Sequence, residues 1–317
     1  MPPIPLHGRG ARITGWGAAL PDKVVTNDDL RASGLDTSDE WIRERTGIVE
    51  RRWGGSTASL SIESGRAAMA RAGVQPSDID LLVLATTTPD QTVPATAATV
   101  QDQLGLRCGA FDVNAACSGF VYGLIVAHGM ISVGATRALV IGTDTLSRIT
   151  DHADRNTAIL FADGSGAAVL EATDGPGSLL GWDLDADGSA RSLLYSDVGG
   201  YIHMDGKEVF RRAVRIMVDS AEKSMKAAGV TADQLKLVVP HQANTRIIQA
   251  ACNRLGVEMD RAAIVIHRTG NTSSASIPLA LADALDAGRV DDGDLVLLVG
   301  FGAGMTAASA VLRWGAA

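Results

Sequence analysis

FDVNAACSGFVYGLIVAHGMISV, residues 111–133, is the stretch from which the rest of the chain can be read. A short apolar run, Ala110 to Val113, leads through Asn114 into a long segment of apolar and small residues centred on Gly119–Ile131. A helix that is apolar on every side belongs in the middle of a domain. Cys117 falls at its first turn, where unpaired N–H groups and the positive end of the macrodipole gather. That position stabilises a thiolate and suits a nucleophile. Gly119 and Gly123 weaken a helix unless a neighbour needs close approach. Free cysteine is also among the most buried residue types and usually only packs. At this point a structural and a reactive Cys117 both stand.

The 317 residues are 46% apolar and 20% charged, as in an ordinary globular chain of two modest domains or one large one. Thirty-five glycines without a short period imply tight strand–helix turns rather than a fibrous repeat. Met1–Gly10 has no apolar core and does not read as a signal peptide. No run approaches the ~18 uninterrupted apolar residues of a membrane span. Cys108, Cys117 and Cys252 lack CxxC spacing, so neither a disulfide framework nor a metal site is indicated, and a reducing cytoplasm is the expected location. The net charge of −8 disfavours nucleic acid as a general partner.

Ala11–Ala19 reads as a first strand, Thr57–Ala72 as a helix ended by Gly73, and Asp80–Thr86 as a buried strand. A loop with Pro89 and Pro94 precedes a helix through Gln101–Leu104, and Ala138–Ile141 forms another buried strand. Residues 159–170 read as strand, turn, strand, with the turn at Ala162–Gly166. The breakers Thr173–Gly177 mark the boundary between two halves, residues 1–175 and 176–317. The second half repeats the order of the first. Lys236–Val239 matches Leu81–Leu84, and Leu255-Gly256 matches Leu104-Gly105. The run Ala263–Ile266, then Gly270-Asn271 and a helix over Ser276–Ala287, takes the place that Cys117 and its helix hold earlier. An internal duplication with a pseudo-twofold site follows from that order.

Three polar groups stand at strand ends or helix starts, where α/β proteins bind ligands: Cys117, His241 and Asn271. A thiol nucleophile needs a proton acceptor and an orienting group, which a His and an Asn can supply. Singly, His241 could close a strand and Asn271 could cap a helix. Together, at parallel places in a duplicated chain, they favour catalysis. The run Gly300–Gly304 lacks a following Lys-Ser/Thr, so it is not a phosphate loop. It suits close backbone approach and an N–H offered to an oxyanion.

Asp39–Ile48 (DEWIRERTGI), Asn114–Phe120 (NAACSGF), Phe161–Leu170, Val239–Ile248 (VPHQANTRII), Gly270–Ser274 (GNTSS) and Gly300–Gly304 carry a resemblance over almost the whole chain. The sequence resembles the β-ketoacyl-acyl-carrier-protein synthase III enzymes of the thiolase superfamily. The resemblance implies an α/β, thiolase-like fold of two similar halves in αβαβα layers, and a homodimer formed through edge strands. It implies no resident cofactor and no metal; acyl-CoA and malonyl-acyl-carrier protein are the substrates. An acyl primer would pass to Cys117, and the enolate left when malonyl loses CO2 would attack it. His241 and Asn271 would donate hydrogen bonds to that enolate. This needs a neutral histidine, which an asparagine neighbour allows and a carboxylate would oppose. The backbone N–H groups of Cys117 and Ala303 would hold the tetrahedral oxyanion.

By the same resemblance Trp41 would stack on the CoA adenine, with Arg45 and Arg155 nearby. Lys207, Arg211, Arg212, Arg215, Arg246 and Arg254 form a candidate basic surface, of which Arg211, Arg246 and Arg254 would dock the acidic acyl carrier protein. Leu146, Leu160, Phe161, Ile202 and Met204 match the primer pocket, with Val93 contributed across the dimer. Many members acting on short primers carry an aromatic at that last place, so Val93 would lengthen the pocket. Other readings stand beside this one: a pathway-specific synthase making a natural-product starter or an ester, and a non-catalytic acyl-CoA-binding subunit. Chalcone-synthase-like enzymes are longer and differ around the cysteine. Hydroxymethylglutaryl-CoA synthases add a catalytic Glu that the matched stretches lack. Intact mass after mixing with acyl-CoAs tests the nucleophile. One acyl adduct is expected, absent in Cys117→Ala, with longer or branched chains accepted; strict acetyl preference would sink the long-pocket reading.

Overall fold

The computed structural model describes residues 9–315, so all but the last two residues of the Met1–Gly10 reading lie outside it. The strands of the main sheet of the first half are β1 (Ala11–Ala19), β2 (Leu81–Ala85), β3 (Gly109–Val113), β4 (Arg137–Thr145) and β5 (Asp163–Ala172). Helices α1 (Asp39–Thr46), α2 (Thr57–Ala72), α3 (Thr96–Gln103) and α4 (Gly119–Ser132) lie between them. The second half supplies β6 (Leu179–Ala186), α5 (Gly206–Ala228), β7 (Leu237–Pro240), α6 (Thr245–Leu255), α7 (Ser276–Asp286), β8 (Leu295–Gly302) and β9 (Thr306–Arg313).

The first sheet runs β1-β5-β4-β2-β3, with β4, β2 and β3 mutually parallel and β1–β5 and β5–β4 antiparallel. The second runs β6-β9-β8-β7, with β8 and β7 parallel and the other two pairs antiparallel. The orders superpose strand for strand. The partner of β3 is reduced to one parallel bridge, Val238 to Ala262, beyond β7. The duplication read from sequence is thus present as sheet topology. The expected run Ala263–Ile266 instead gives way to a short helical turn, Ile266–Thr269.

Alternation along the strands builds the layers, because successive side chains face opposite sides of a sheet. In β4, Ala138 and Val140 face inward, while Leu139 and Ile141 face α2 and α3. In β8, Val296 and Leu298 face inward, while Leu297 and Val299 face α5 and α6. Both inward faces meet α4 and α7, whose Phe120, Val121, Leu124, Ile277, Leu281 and Ala284 make one core. The layers are therefore helix, sheet, helix pair, sheet, helix. The nearly all-apolar sequence of α4 follows from packing between two sheets.

Three boundaries differ from the sequence reading. The strand expected over Ala138–Ile141 continues to Thr145, and the helix expected at Gln101 starts at Thr96, where Asp112 accepts from the Thr96 and Ala97 N–H groups. Residues 159–170 are not strand, turn, strand: β5 is continuous, and Phe161 makes only an isolated bridge to Asn271. The glycines read as a turn serve close packing. A Cβ on Gly166 would stand 2.7 Å from Pro278 Cβ and 2.9 Å from its carbonyl carbon, so α7 lies directly on the strand. Gly166→Ala is expected to destabilise the protein by about 1–3 kcal/mol, the usual cost of overpacking, measured by urea unfolding. An unchanged midpoint would mean that the strand and helix can separate freely.

Candidate active site

The cysteine lies just ahead of α4 rather than within it, in a tight turn over Ala116–Ser118. Asn114 shapes that turn: its Oδ1 accepts from the Ala116 N–H at 3.2 Å, and Ala116 is held at φ +47°. The turn is pinned to the second half, where Thr306 Oγ1 donates to the Ala115 carbonyl at 2.9 Å. The glycine run supplies the seat. A Cβ on Gly302 would stand 2.6 Å from Cys117 N, and one on Gly300 would stand 3.6 Å from Cys117 O and 3.7 Å from His241 Cβ. At Gly302 only glycine allows this approach, whereas a Cβ at Gly300 would make ordinary contact with Cys117.

His241 follows β7 and is buried, edge-on to Phe301 at 5.3 Å. Its Nδ1 lies 2.6 Å from Ser276 Oγ at the start of α7. Burial pushes its pKa down to about 3, so the ring is neutral across the physiological range. Asn271 sits in a turn that repeats the cysteine turn: its Oδ1 accepts from the Ser273 N–H at 3.0 Å, and Ser273 is held at φ +50°. An N–H can only donate, so the oxygen end of the Asn271 amide is tied and its NH2 end remains to donate.

Cys117, His241 and Asn271 all line one cavity of about 750 Å³. The helix start alone would favour a thiolate, but the resting thiol is held protonated. Burial pushes Cys117 up to about 12; a hydrogen bond with Ser273 opposes that rise and the Asp144 charge adds to it. Desolvation outweighs the helix end in the resting pocket. The wall includes Leu160, Phe161, Leu194, Met204, Phe210 and Ile247. Leu146 and Ile202 stand behind, in a buried cluster with Phe161. Trp41, Arg45 and Arg246 line the same cavity. The Arg45 and Arg155 guanidinium carbons lie 4.5 and 4.8 Å from the Trp41 ring centroid, and Arg155 donates to the Asp36 carbonyl at 2.9 Å.

Other residues singled out from sequence lie apart. Val93 is 81% exposed on the surface of this chain. Arg254 is eight residues from Arg246 along α6, about 12 Å by helical rise, at the end away from the cavity. Arg211 and Arg212 pair with Glu208, and Arg212 also with Asp187, so the basic face is partly neutralised. Among the described residues no group of three or more His, Cys, Asp or Glu is gathered to hold a metal, and no helix is long and apolar enough to cross a membrane. Sequence reasoning missed Ser276, Asp144 and Arg51. The Arg51 guanidinium is buried on the Val25 and Ile159 carbonyls and Asn27 Oδ1, fixing the Leu160 wall.

Patterns of 3-oxoacyl-[acyl-carrier-protein] synthase III match residues 111–188, and those of its C-terminal part match residues 225–314. A β-ketoacyl-[acyl-carrier-protein] synthase III of Roseiflexus castenholzii is 49% identical, over 96% of this chain and 98% of its own. The chain belongs to this family. It is therefore a condensing enzyme of the acyltransferase type, with the thiolase-like fold. The crystal structure of the Pseudomonas aeruginosa PAO1 synthase III is 45% identical, covering 96% of this chain and 98% of its own, with a TM-score of 0.93. A priming β-ketosynthase from the R1128 polyketide pathway is 36% identical, covering 99% and 98%, with a TM-score of 0.92.

Alkylation of Cys117 by iodoacetamide, followed on its own peptide by mass, tests the buried thiol. The rate is expected to rise about tenfold per pH unit from 6 to 9 without levelling, because the thiolate is the reacting form. A plateau near neutrality would mean that the helix end overcomes burial.

Proposed function

We propose that this synthase joins an acyl-CoA primer to malonyl-acyl-carrier protein with loss of CO2, initiating fatty acid synthesis through an acyl-Cys117 intermediate. The observation that carries the reading is the meeting of Cys117, His241 and Asn271 in one cavity whose entrance holds Trp41, Arg45 and Arg246. In the first step Cys117 sulfur attacks the primer thioester; its proton leaves with CoA as the free thiol. In the second, the malonyl C–C bond breaks, CO2 departs, and the enolate carbon attacks the acyl-cysteine, returning the thiolate.

His241 and Asn271 stabilise the enolate as neutral donors. Ser276 Oγ, which accepts from the Gln242 N–H at 3.3 Å, is assigned as the donor to His241 Nδ1. The proton of His241 then resides on Nε2, the atom free to donate. The Cys117 and Ala303 N–H groups form the oxyanion site of the tetrahedral intermediates; Gly302, packed onto Cys117 N, brings the two turns together. In binding, the CoA adenine takes a place on Trp41, with Arg45 and Arg155 around it. Arg246 at the mouth, with Arg211 and Arg254 on the outer helices, receives the carrier protein.

Residues 1–175 and 176–317 act as the two duplicated halves. A second copy pairs along β3, whose outer edge is open and whose Phe111 is 37% exposed. Val93 lies close to that edge, since Asp112 of β3 holds the backbone of Thr96 and Ala97. It would complete the partner's primer pocket beside Leu146, Leu160, Phe161, Ile202 and Met204. The cytoplasm is the site of action. The likeness to the R1128 priming β-ketosynthase favours a second reading, in which the same chemistry makes a starter unit for secondary metabolism.

Separate assays of the two half-reactions test the assignment. Cys117→Ala is expected to abolish acyl transfer yet release CO2 from malonyl-carrier protein. His241→Ala and Asn271→Ala should keep acyl transfer and lower CO2 release roughly 10²–10³-fold, the usual loss on removing such a donor. Ser276→Ala should lower CO2 release about tenfold and shift the 15N resonances of His241 toward mixed tautomers, since removing the ring's orienting partner frees its tautomer. Loss of acyl transfer in the His241 and Asn271 variants would overturn this division of roles.

A further inference from the structure

Asp144, at the end of β4, is fully buried and carries the most heavily satisfied carboxylate near the site. Its Oδ1 lies within hydrogen-bonding distance of the Thr87 N–H at 2.7 Å and the Thr88 N–H at 3.2 Å. The Thr86, Thr87 and Thr88 hydroxyls join them at 3.1, 2.9 and 3.0 Å. Its Oδ2 accepts from the Ser274 N–H at 3.0 Å and the Ser274 hydroxyl at 2.7 Å. All of these partners are neutral donors. A buried carboxylate that leans on dipoles alone is costly unless every acceptor site is used.

The duplication gives this arrangement its meaning. Ala116 at φ +47° and Ser273 at φ +50° are the twin strained residues, so Cys117 and Ser274 are twins. Gly300 faces the Cys117 carbonyl, and a Cβ on Gly142 would stand 2.4 Å from the Ser274 carbonyl, so these glycines are twins as well. Two residues on, Gly302 faces Cys117 N, and Asp144 faces Ser274 N. One half leaves the N–H of its turn to the substrate. The other fills the same place with its own carboxylate.

We propose that Asp144 is a positioning residue for the condensation step, locking the Ser273–Ser274 turn so that the Ser273 N–H holds the Asn271 amide with its NH2 end toward the substrate. The inference rests on the role assigned to Asn271 above. The chain of contacts is continuous: Asp144 to Ser274, Ser274 to its neighbour Ser273, and Ser273 to Asn271 Oδ1. An amide at position 144 offers one acceptor oxygen where two are used; its NH2 can be taken by a hydroxyl, but the backbone N–H on that side is left without an acceptor.

The test is a double-mutant cycle on the full chain, reading acyl transfer to Cys117 and CO2 release from malonyl-carrier protein separately. Asp144→Asn is expected to keep acyl transfer within about threefold and to lower CO2 release roughly 10²-fold, as for loss of an oxyanion donor. On an Asn271→Ala background the same change should add nothing, because both act through one amide. Ser274→Ala, which keeps the carboxylate and removes one donor, should lower CO2 release about tenfold and be equally silent on that background. It decides the matter if Asp144→Asn does not fold. Equal losses in both half-reactions, or full additivity with Asn271→Ala, would overturn the inference. Failure of the wild-type protein itself to release CO2 would instead overturn the proposed function.

Discussion

Each half of this protein is closed by the other through a reciprocal backbone contact. The turn that starts the inner helix of one half presses on a glycine near the end of the other half's central strand: Cys117 on Gly300 and Gly302, Ser274 on Gly142. No side chain could stand at Gly302 or Gly142. A Cβ would come within 2.6 Å of Cys117 N at Gly302 and within 2.4 Å of the Ser274 carbonyl at Gly142. The approach brings both helix starts, with their unpaired N–H groups, to the interface between the sheets. His241 reaches the same place because it follows β7, beside the strand that carries Gly300 and Gly302. The position of the site is therefore a consequence of duplication and close packing.

The two matching turns also explain each other's chemistry. Ser274 shows what such a turn does with an oxygen anion nearby: its N–H meets the Asp144 carboxylate at 3.0 Å. The Cys117 turn has the same asparagine-braced shape and the same sense of backbone strain, with a glycine where the carboxylate would be. Among the described residues Ala116, Ser273 and Met305 are the non-glycine positions at positive φ, and the first two brace the matching turns. The second half uses its turn to hold a residue in place. On the proposed mechanism the first half keeps its turn for a charge that develops only during reaction, the condition under which a preorganised donor acts most strongly.

Much of this was legible in the sequence because it depends on local pattern. The apolar run of α4, the strand β1 and the helix α2 follow from periodicity and end signals, and the order of elements exposed the repeat. The motifs around Cys117, His241 and Asn271 pointed to one site through family resemblance. What could not be read was tertiary in origin. The glycines of Phe161–Leu170 looked like a turn because nothing in their spacing reveals that Pro278 will lie against them. Ser276 and Asp144 look like ordinary helix-start and strand-end residues until the histidine and the asparagine turn are placed beside them. The raised pKa of the thiol is tertiary in the same way: a helix start is visible in sequence, whereas the desolvation that outweighs it is not.

The resting site is thus built from groups that carry no net charge where substrate arrives. The cysteine is a buried thiol and the histidine a buried neutral ring, while Asn271 is an amide. The Asp144 carboxylate, close enough to influence the thiol, is occupied by donors on both oxygens. Charge is kept at the rim, on Arg45, Arg155 and Arg246, in a protein whose overall balance is −8. This division suits the proposed condensation, in which charge inside the site is transient. A fixed cation beside the enolate would have to be desolvated in every resting molecule, at a cost of several kcal/mol. Neutral donors avoid most of that cost and still strengthen as negative charge appears on the oxygen they face.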